Sequence, residues 1–260
     1  MNVGRITTIL LHSWYHFWHS METWVDLFLN SIIQMSVFVF IALYFSGGQS
    51  LQGKFMIAGA ILWNIIWVGQ YTIAVGALWE IWSKNLSSLF VTPLTLEEFL
   101  TGHMIAGLIK SLASMSVTAL VGFLMYRFSI LQLNLWLIVY IAELIVFSWA
   151  MGMFVLAIIL RFGTNVQSLS WLLVFLVQPF GAVFFPVTVL PRLLQTVSFG
   201  LPVTYVFEAI RAQISHGVIE TNGLFIATIL NLVYFVVSYL FIKFTFAAAK
   251  KSGGFAQIET

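Results

Sequence analysis

The chain has 260 residues, of which 61% are hydrophobic and only 8% charged, with a formal net charge of +2. A water-soluble domain needs roughly 25% charged residues, so these proportions exclude a soluble globule and, equally, a disordered chain. Eleven basic residues give no basic nucleic-acid surface, and the absence of cysteine excludes disulfides, Cys-ligated zinc, iron–sulfur clusters and thiol catalysis.

Residues 1–25 are aromatic and amphipathic. Trp14, Phe17, Trp18, Met21 and Trp24 recur at steps of three, four and one residues that share a helical face. Trp favours the membrane–water boundary, so the segment is expected to be an interfacial helix. His12, His16 and His19 share helical spacing. They lack the glutamate of H-E-x-x-H, and the reading is polar decoration with no metal.

Charge-free runs at 27–53, 55–79, 162–191 and 221–242 each hold the roughly 20 apolar residues of a membrane helix. Strands of a transmembrane barrel would alternate in shorter runs. Six spans are predicted, at about Asp26–Phe45, Phe55–Leu78, Met104–Tyr126, Leu133–Leu160, Ser168–Phe185 and Leu224–Phe246. In segments, 26–78 holds helices 1 and 2, 79–103 a polar loop, 104–185 helices 3 to 5, 224–246 helix 6 and 247–260 a tail.

The loop 79–103 carries Thr95 with Glu98 three residues on, the pattern of a capping box. It predicts a short capped helix with an apolar face leading into helix 3. Segment 186–223 is apolar but broken: Pro179, Pro186, Pro191 and Pro202 interrupt any helix there. Two short re-entrant helices split near Gly200–Pro202 are expected before the last span, since broken backbone at membrane depth must be shielded by protein.

Counting Lys and Arg outside the spans or in their last turn gives six on the side of the N-terminus (Arg5, Lys84, Arg161, Lys243, Lys250, Lys251) and four opposite (Lys54, Arg127, Arg192, Arg211). The positive-inside rule then places both termini and the 79–103 loop in the cytosol and the proline-rich segment outside.

Polar groups inside spans are candidate path-lining residues: Asn64, Gln70, Gln178 and Glu143. Side-chain amides also glue helices together, the more common use. Glu143 is the costliest to bury and is therefore a functional candidate. Lys110 is expected to snorkel to the cytosolic boundary. No G-x-x-x-x-G-K-[ST] phosphate loop, no G-x-x-x-G pair and no internal repeat occur in these 260 residues.

Three strings, in order, carry a family resemblance. Leu89-Phe90-Val91-Thr92-Pro93-Leu94, followed by Glu97, Glu98 and Gly102, resembles the loop of type-2 ATP-binding-cassette exporter permeases. Phe184-Phe185-Pro186-Val187-Thr188-Val189-Leu190-Pro191 and Leu201-Pro202-Val203-Thr204-Tyr205-Val206-Phe207-Glu208-Ala209-Ile210-Arg211 resemble that family's outer segment. One departure is the stretch Lys84-Asn85-Leu86-Ser87, where the family often shows Gly-Thr-Leu-Glu; Glu80 fits a more upstream acidic position.

The resemblance implies an all-α polytopic membrane protein without a catalytic site or cofactor of its own, paired with a second permease subunit in a homo- or heterodimer. ATP and Mg would be bound by two separate ABC ATPase subunits. ATPase coupling would fall to Leu89, Val91, Thr92, Pro93, Leu94, Thr95, Glu97, Glu98 and Phe99. An outer re-entrant gate would use Pro186, Pro191, Pro202, Tyr205, Glu208 and Arg211, with Glu208 and Arg211 on one helix face and expected to pair. The implied activity is export of a drug, lipid or glycan from the cytosol or inner leaflet across the cell membrane. The competing reading is a proton-coupled secondary transporter working through Glu143, a class that often shows inverted repeats. A membrane-embedded enzyme or a purely structural membrane scaffold are lesser alternatives; the first lacks a cluster of catalytic residues at one depth.

Overall fold

A computed structural model describes residues 2–46, 50–84 and 92–251. Among these the chain is helical: α1 (Val3–His19), α2 (Met21–Trp24), α3 (Asn30–Ser46), α4 (Leu51–Trp82), α5 (Leu96–Tyr126), α6 (Trp136–Phe162), α7 (Leu169–Phe180), α8 (Arg192–Phe199), α9 (Pro202–His216) and α10 (Thr221–Lys251). A π-helical turn at Val25–Leu29 joins α2 to α3, so that Met21–Phe45 runs on as one apolar stretch.

Five described stretches are long and apolar enough to cross a membrane: Met21–Phe45, Leu51–Trp82, Leu96–Tyr126, Trp136–Phe162 and Thr221–Lys251. The fold is therefore that of an all-α polytopic membrane protein.

The helix expected at Ser168–Phe185 is shorter than its apolar run. α7 has 12 residues, about 18 Å of helix against a hydrocarbon core of about 30 Å. Pro179 withdraws a donor in its last turn, and Ala182 takes a left-handed φ of 51° that ends the helical path. The apolar sequence continues as turns and a 3-10 turn at Val187–Val189. α8 and α9 follow, bent by 99° at the break between Phe199 and Pro202. Pro202 opens α9 at a position where its missing N–H costs nothing.

α4 is the centre of the molecule. Twenty-one of its 32 residues are buried, and they lie on all sides of the helix. A helix that is apolar all round is one enclosed by others. Two clusters of buried side chains follow its length. Ile57, Ile61, Leu62 and Ile66 pack with Leu144, Phe147, Val206 and Phe207. Ile73, Leu78 and Ile81 pack with Phe99, Leu100, Val155, Leu156 and Ile242 at the loop end.

In lipid, apolar burial does not drive helices together, so close backbone approach must. At Gly69 an added Cβ would lie 2.3 Å from the Ser148 Oγ of α6 and 3.3 Å from the Ser111 Oγ of α5. At Gly107 it would lie 3.3 Å from the Gly69 carbonyl oxygen. Thus α4 touches both neighbours at one level through small residues, without a G-x-x-x-G pair. α10 lies against α6 through the ring pairs Phe147–Tyr234 and Phe154–Phe241.

Gly69→Val should lower the apparent unfolding temperature of the purified protein, by the equivalent of about 1–3 kcal/mol for overpacking. Thermal unfolding in detergent measures it; an unchanged transition would mean that α4 does not sit this close to α5 and α6.

Candidate functional site

The loop end is built on the first turn of α5. Thr95 accepts from the Glu98 N–H (3.2 Å) and Glu98 Oε2 accepts from the Thr95 N–H (3.1 Å), so the capping box is complete. The same carboxylate reaches the N-terminus of the chain. Its Oε1 accepts from the Asn2 N–H at 2.7 Å, and its Oε2 lies 3.4 Å from Arg5 Nη1. Arg5 also donates to the Pro93 carbonyl. One carboxylate therefore closes the helix, holds α1 against it and, through Arg5, fixes the loop that precedes it.

Glu97 points elsewhere and accepts from the Tyr239 hydroxyl of α10 at 3.2 Å. Ile9 packs on Gly102, where a Cβ would lie 2.6 Å from the Ile9 Cγ2, so α1 also meets α5 at close range.

The residues expected to meet an ATPase differ in exposure. Glu98 and Phe99 are buried within the chain. Thr92, Pro93 and Thr95 are exposed, while Leu94 and Glu97 are half-buried. Leu89 and Val91 lie outside the described residues. The expected short loop helix is the N-terminal part of α5 itself, continuous with the span.

At the opposite end, Glu208 and Arg211 do pair. Arg211 Nη2 donates to Glu208 Oε1 at 2.9 Å, and Arg211, 5% exposed, also donates to the Val183 carbonyl at 3.4 Å. Glu208 Oε1 accepts from the Val187 N–H at 2.7 Å. The pair thus pins the segment after α7 onto α9. Further bonds fix the bend: Ser198 to the Phe180 carbonyl, Thr204 to the Ser198 carbonyl (2.6 Å) and Tyr205 to the Phe199 carbonyl (3.0 Å). Pro191 caps α8, and Pro186 precedes the 3-10 turn.

The four path-lining candidates do not converge. Asn64 is buried, donating to Ser31 Oγ (2.9 Å) and accepting from Ser114 Oγ (2.7 Å); it joins α3, α4 and α5 as structural glue. Gln70 is fully buried, with neither amide atom hydrogen-bonded among the described residues. Gln178, on α7, is half-buried, and its Nε2 is unbonded among them. Glu143 accepts from Thr228 Oγ1 (2.5 Å) and Asn231 Nδ2 (2.6 Å) of α10, in a cleft of about 360 Å³ between α6 and α10.

One group escaped the sequence reading. His12, His16, Glu80, His103 and Lys110 line a pocket of about 60 Å³ between α1, α4 and α5. His12 Nδ1 lies 3.2 Å from Glu80 Oε1, and His103 Nδ1 bonds to the Phe99 carbonyl at 3.0 Å. His16 stands 4.9 Å from the Trp79 ring, ring centre to ring centre. Partial burial keeps His16 below the ordinary imidazole value, and the charges of Lys110 and His12 act the same way. His19 turns back to the Tyr15 carbonyl, so the three N-terminal histidines do not share a site. The signal for this pocket was spread over three segments and became visible only when α4 and α5 packed antiparallel.

Glu208→Ala should leave a buried, unpaired Arg211 and destabilise the protein by about 3–5 kcal/mol. Glu208→Ala with Arg211→Met should recover much of that, by thermal unfolding. Equal loss in both variants would mean that the ion pair does not carry the junction.

The comparisons with known proteins fit this geometry. No curated protein matches the chain. Residues 5–214, from Arg5 in the clamp to the last turns of α9, match the family described as ABC-2 type transporter. The chain belongs to the ABC-2 type transporter family, as a multi-pass membrane permease component that associates with ABC ATPase partners.

Proposed function

We propose that the chain is the permease subunit of an ATP-driven exporter that moves an amphipathic or lipid-linked substrate (drug, lipid or glycan) out of the cytosol or inner leaflet of the cell membrane. The observation that carries the reading is the clamped loop end. Thr92, Pro93 and Thr95 form an exposed bracket whose backbone is tied by Arg5 and Glu98 to two helices at once. An ATPase that closes on ATP must push on something that does not yield. Coupling is a difference in contact free energy between two states, and a rigid bracket passes that difference on to α5 and, through the α4–α5 contact at Gly69, to the centre.

In this reading two permease subunits, identical or related, enclose the path, and two ATPase subunits hold ATP and Mg. Both termini and the bracket face the cytosol, and α8 and α9 cover the outer mouth with Pro186, Pro191, Pro202, Tyr205 and the Glu208–Arg211 pair as its fixed frame. Glu143 acts as an anchor between α6 and α10, since its two carboxylate oxygens are engaged by Thr228 and Asn231. That arrangement favours a structural carboxylate over a proton relay.

The test is co-reconstitution of the permease with its ATPase in liposomes and measurement of ATP-driven movement of a fluorescent amphiphile. Export from the ATPase side is expected. Arg5→Ala should lower transport per ATP hydrolysed about tenfold, within the range of typical coupling energies, with the complex still assembled. Transport towards the ATPase side, or full coupling in Arg5→Ala, would contradict the reading.

A further inference from the structure

Beside the polar pocket lies a second, apolar cavity. It is a groove of about 430 Å³ between α1, the π turn and α5, lined by Leu10, Trp14, Phe17, Trp24, Phe28 and Ile109 among others. Its size falls in the range of small-molecule pockets, about 300–1,000 Å³. The two cavities share a wall, for Ser13, Leu27 and Lys110 border both.

Lys110 makes no hydrogen bond or ion pair among the described residues. Glu80, the carboxylate that lines the same pocket, is engaged by His12. A half-buried ammonium without an ion-paired carboxylate is a costly arrangement, and it stands where an apolar groove meets a polar pocket. The groove opens on its other side to the surroundings, with Trp14 54% and Ile109 55% exposed. In a membrane-embedded chain those surroundings are lipid. Trp14 and Trp24 are the residue type that settles at headgroup level.

We propose that this groove is a binding site for an anionic glycerophospholipid of the leaflet at the loop end, with an acyl chain along Leu10, Phe17, Phe28 and Ile109 and the phosphate on Lys110 and the Ser13 hydroxyl. The charge decides the headgroup: an anionic lipid supplies the missing counter-ion, whereas a zwitterionic one brings its own cation. The lipid would fill the space between α1 and α5, and so steady the helix whose first residues hold Glu98. The inference rests on the chain's membrane embedding and does not depend on the direction or substrate of transport.

The experiment is native mass spectrometry of the purified permease complex after exchange into equal amounts of phosphatidylglycerol and phosphatidylcholine. The wild type should retain phosphatidylglycerol preferentially. Lys110→Met, which keeps the apolar stem, should reduce that preference about fivefold, the typical worth of one cation near an anionic lipid. Lys110→Arg should keep it. Ala113→Trp, which fills the groove from an exposed position, should reduce retention of both lipids. No preference in the wild type, an unchanged preference in Lys110→Met, full retention in Ala113→Trp, or a non-lipid amphiphile retained in place of lipid would each overturn the proposal.

Discussion

The structure depends on how closely α4 approaches its neighbours. A helix buried on every side in a membrane gains little from leaving lipid, since lipid is as apolar as its partners. What holds it is contact at short range, and Gly69, Gly107 and Gly152 supply it. A Cβ at Gly152 would lie 2.8 Å from the Ile73 Cβ, and those at Gly69 and Gly107 would meet Ser148 and the Gly69 carbonyl. The Ser31–Asn64–Ser114 bonds lock the same bundle from its third side. With α4 fixed this way, α5 and α6 move with it, and anything attached to their ends is attached to the centre.

At each end of the molecule a carboxylate serves several donors. At the loop end Glu98 takes bonds from Asn2, Thr95 and Arg5. At the other end Glu208 takes them from Val187 and Arg211. Each ties an irregular stretch, one before α5 and one after α7, to a regular helix. In the proposed reading, both stretches lie where the transporter changes contacts. Fixing them with charge-assisted bonds gives discrete arrangements rather than a soft continuum, which is what a two-state machine requires.

Much of this was legible in the chain. The charge-free runs announce the long helices, Thr95 and Glu98 announce a capping box, and Gly200–Pro202 announces a break. Glu208 and Arg211, three apart, announce a pair. What was not legible has physical reasons. The run 162–191 is charge-free throughout, so hydropathy cannot tell where α7 stops; the left-handed Ala182 and the Val183 carbonyl bonded to Arg211 decide that. For Asn64 glue was the more common reading, and sequence cannot name the two serines on other helices that satisfy its amide. Glu98 stood among the coupling residues that the resemblance implies, and sequence cannot show that the returning N-terminus engages the same carboxylate. His12 and His16 showed only their helical spacing, and their meeting with Glu80, His103 and Lys110 is tertiary.

The most direct measurement of the central claim, that the exposed bracket at Thr92–Thr95 is where the ATPase meets this permease, is site-specific photo-crosslinking in the intact host membrane. A crosslinking residue at Thr92 should capture a stoichiometric partner that carries a nucleotide phosphate loop, and one at Leu135, which is 79% exposed, should not. A partner without a phosphate loop at Thr92, or the same ATPase captured equally from Leu135, would contradict the account.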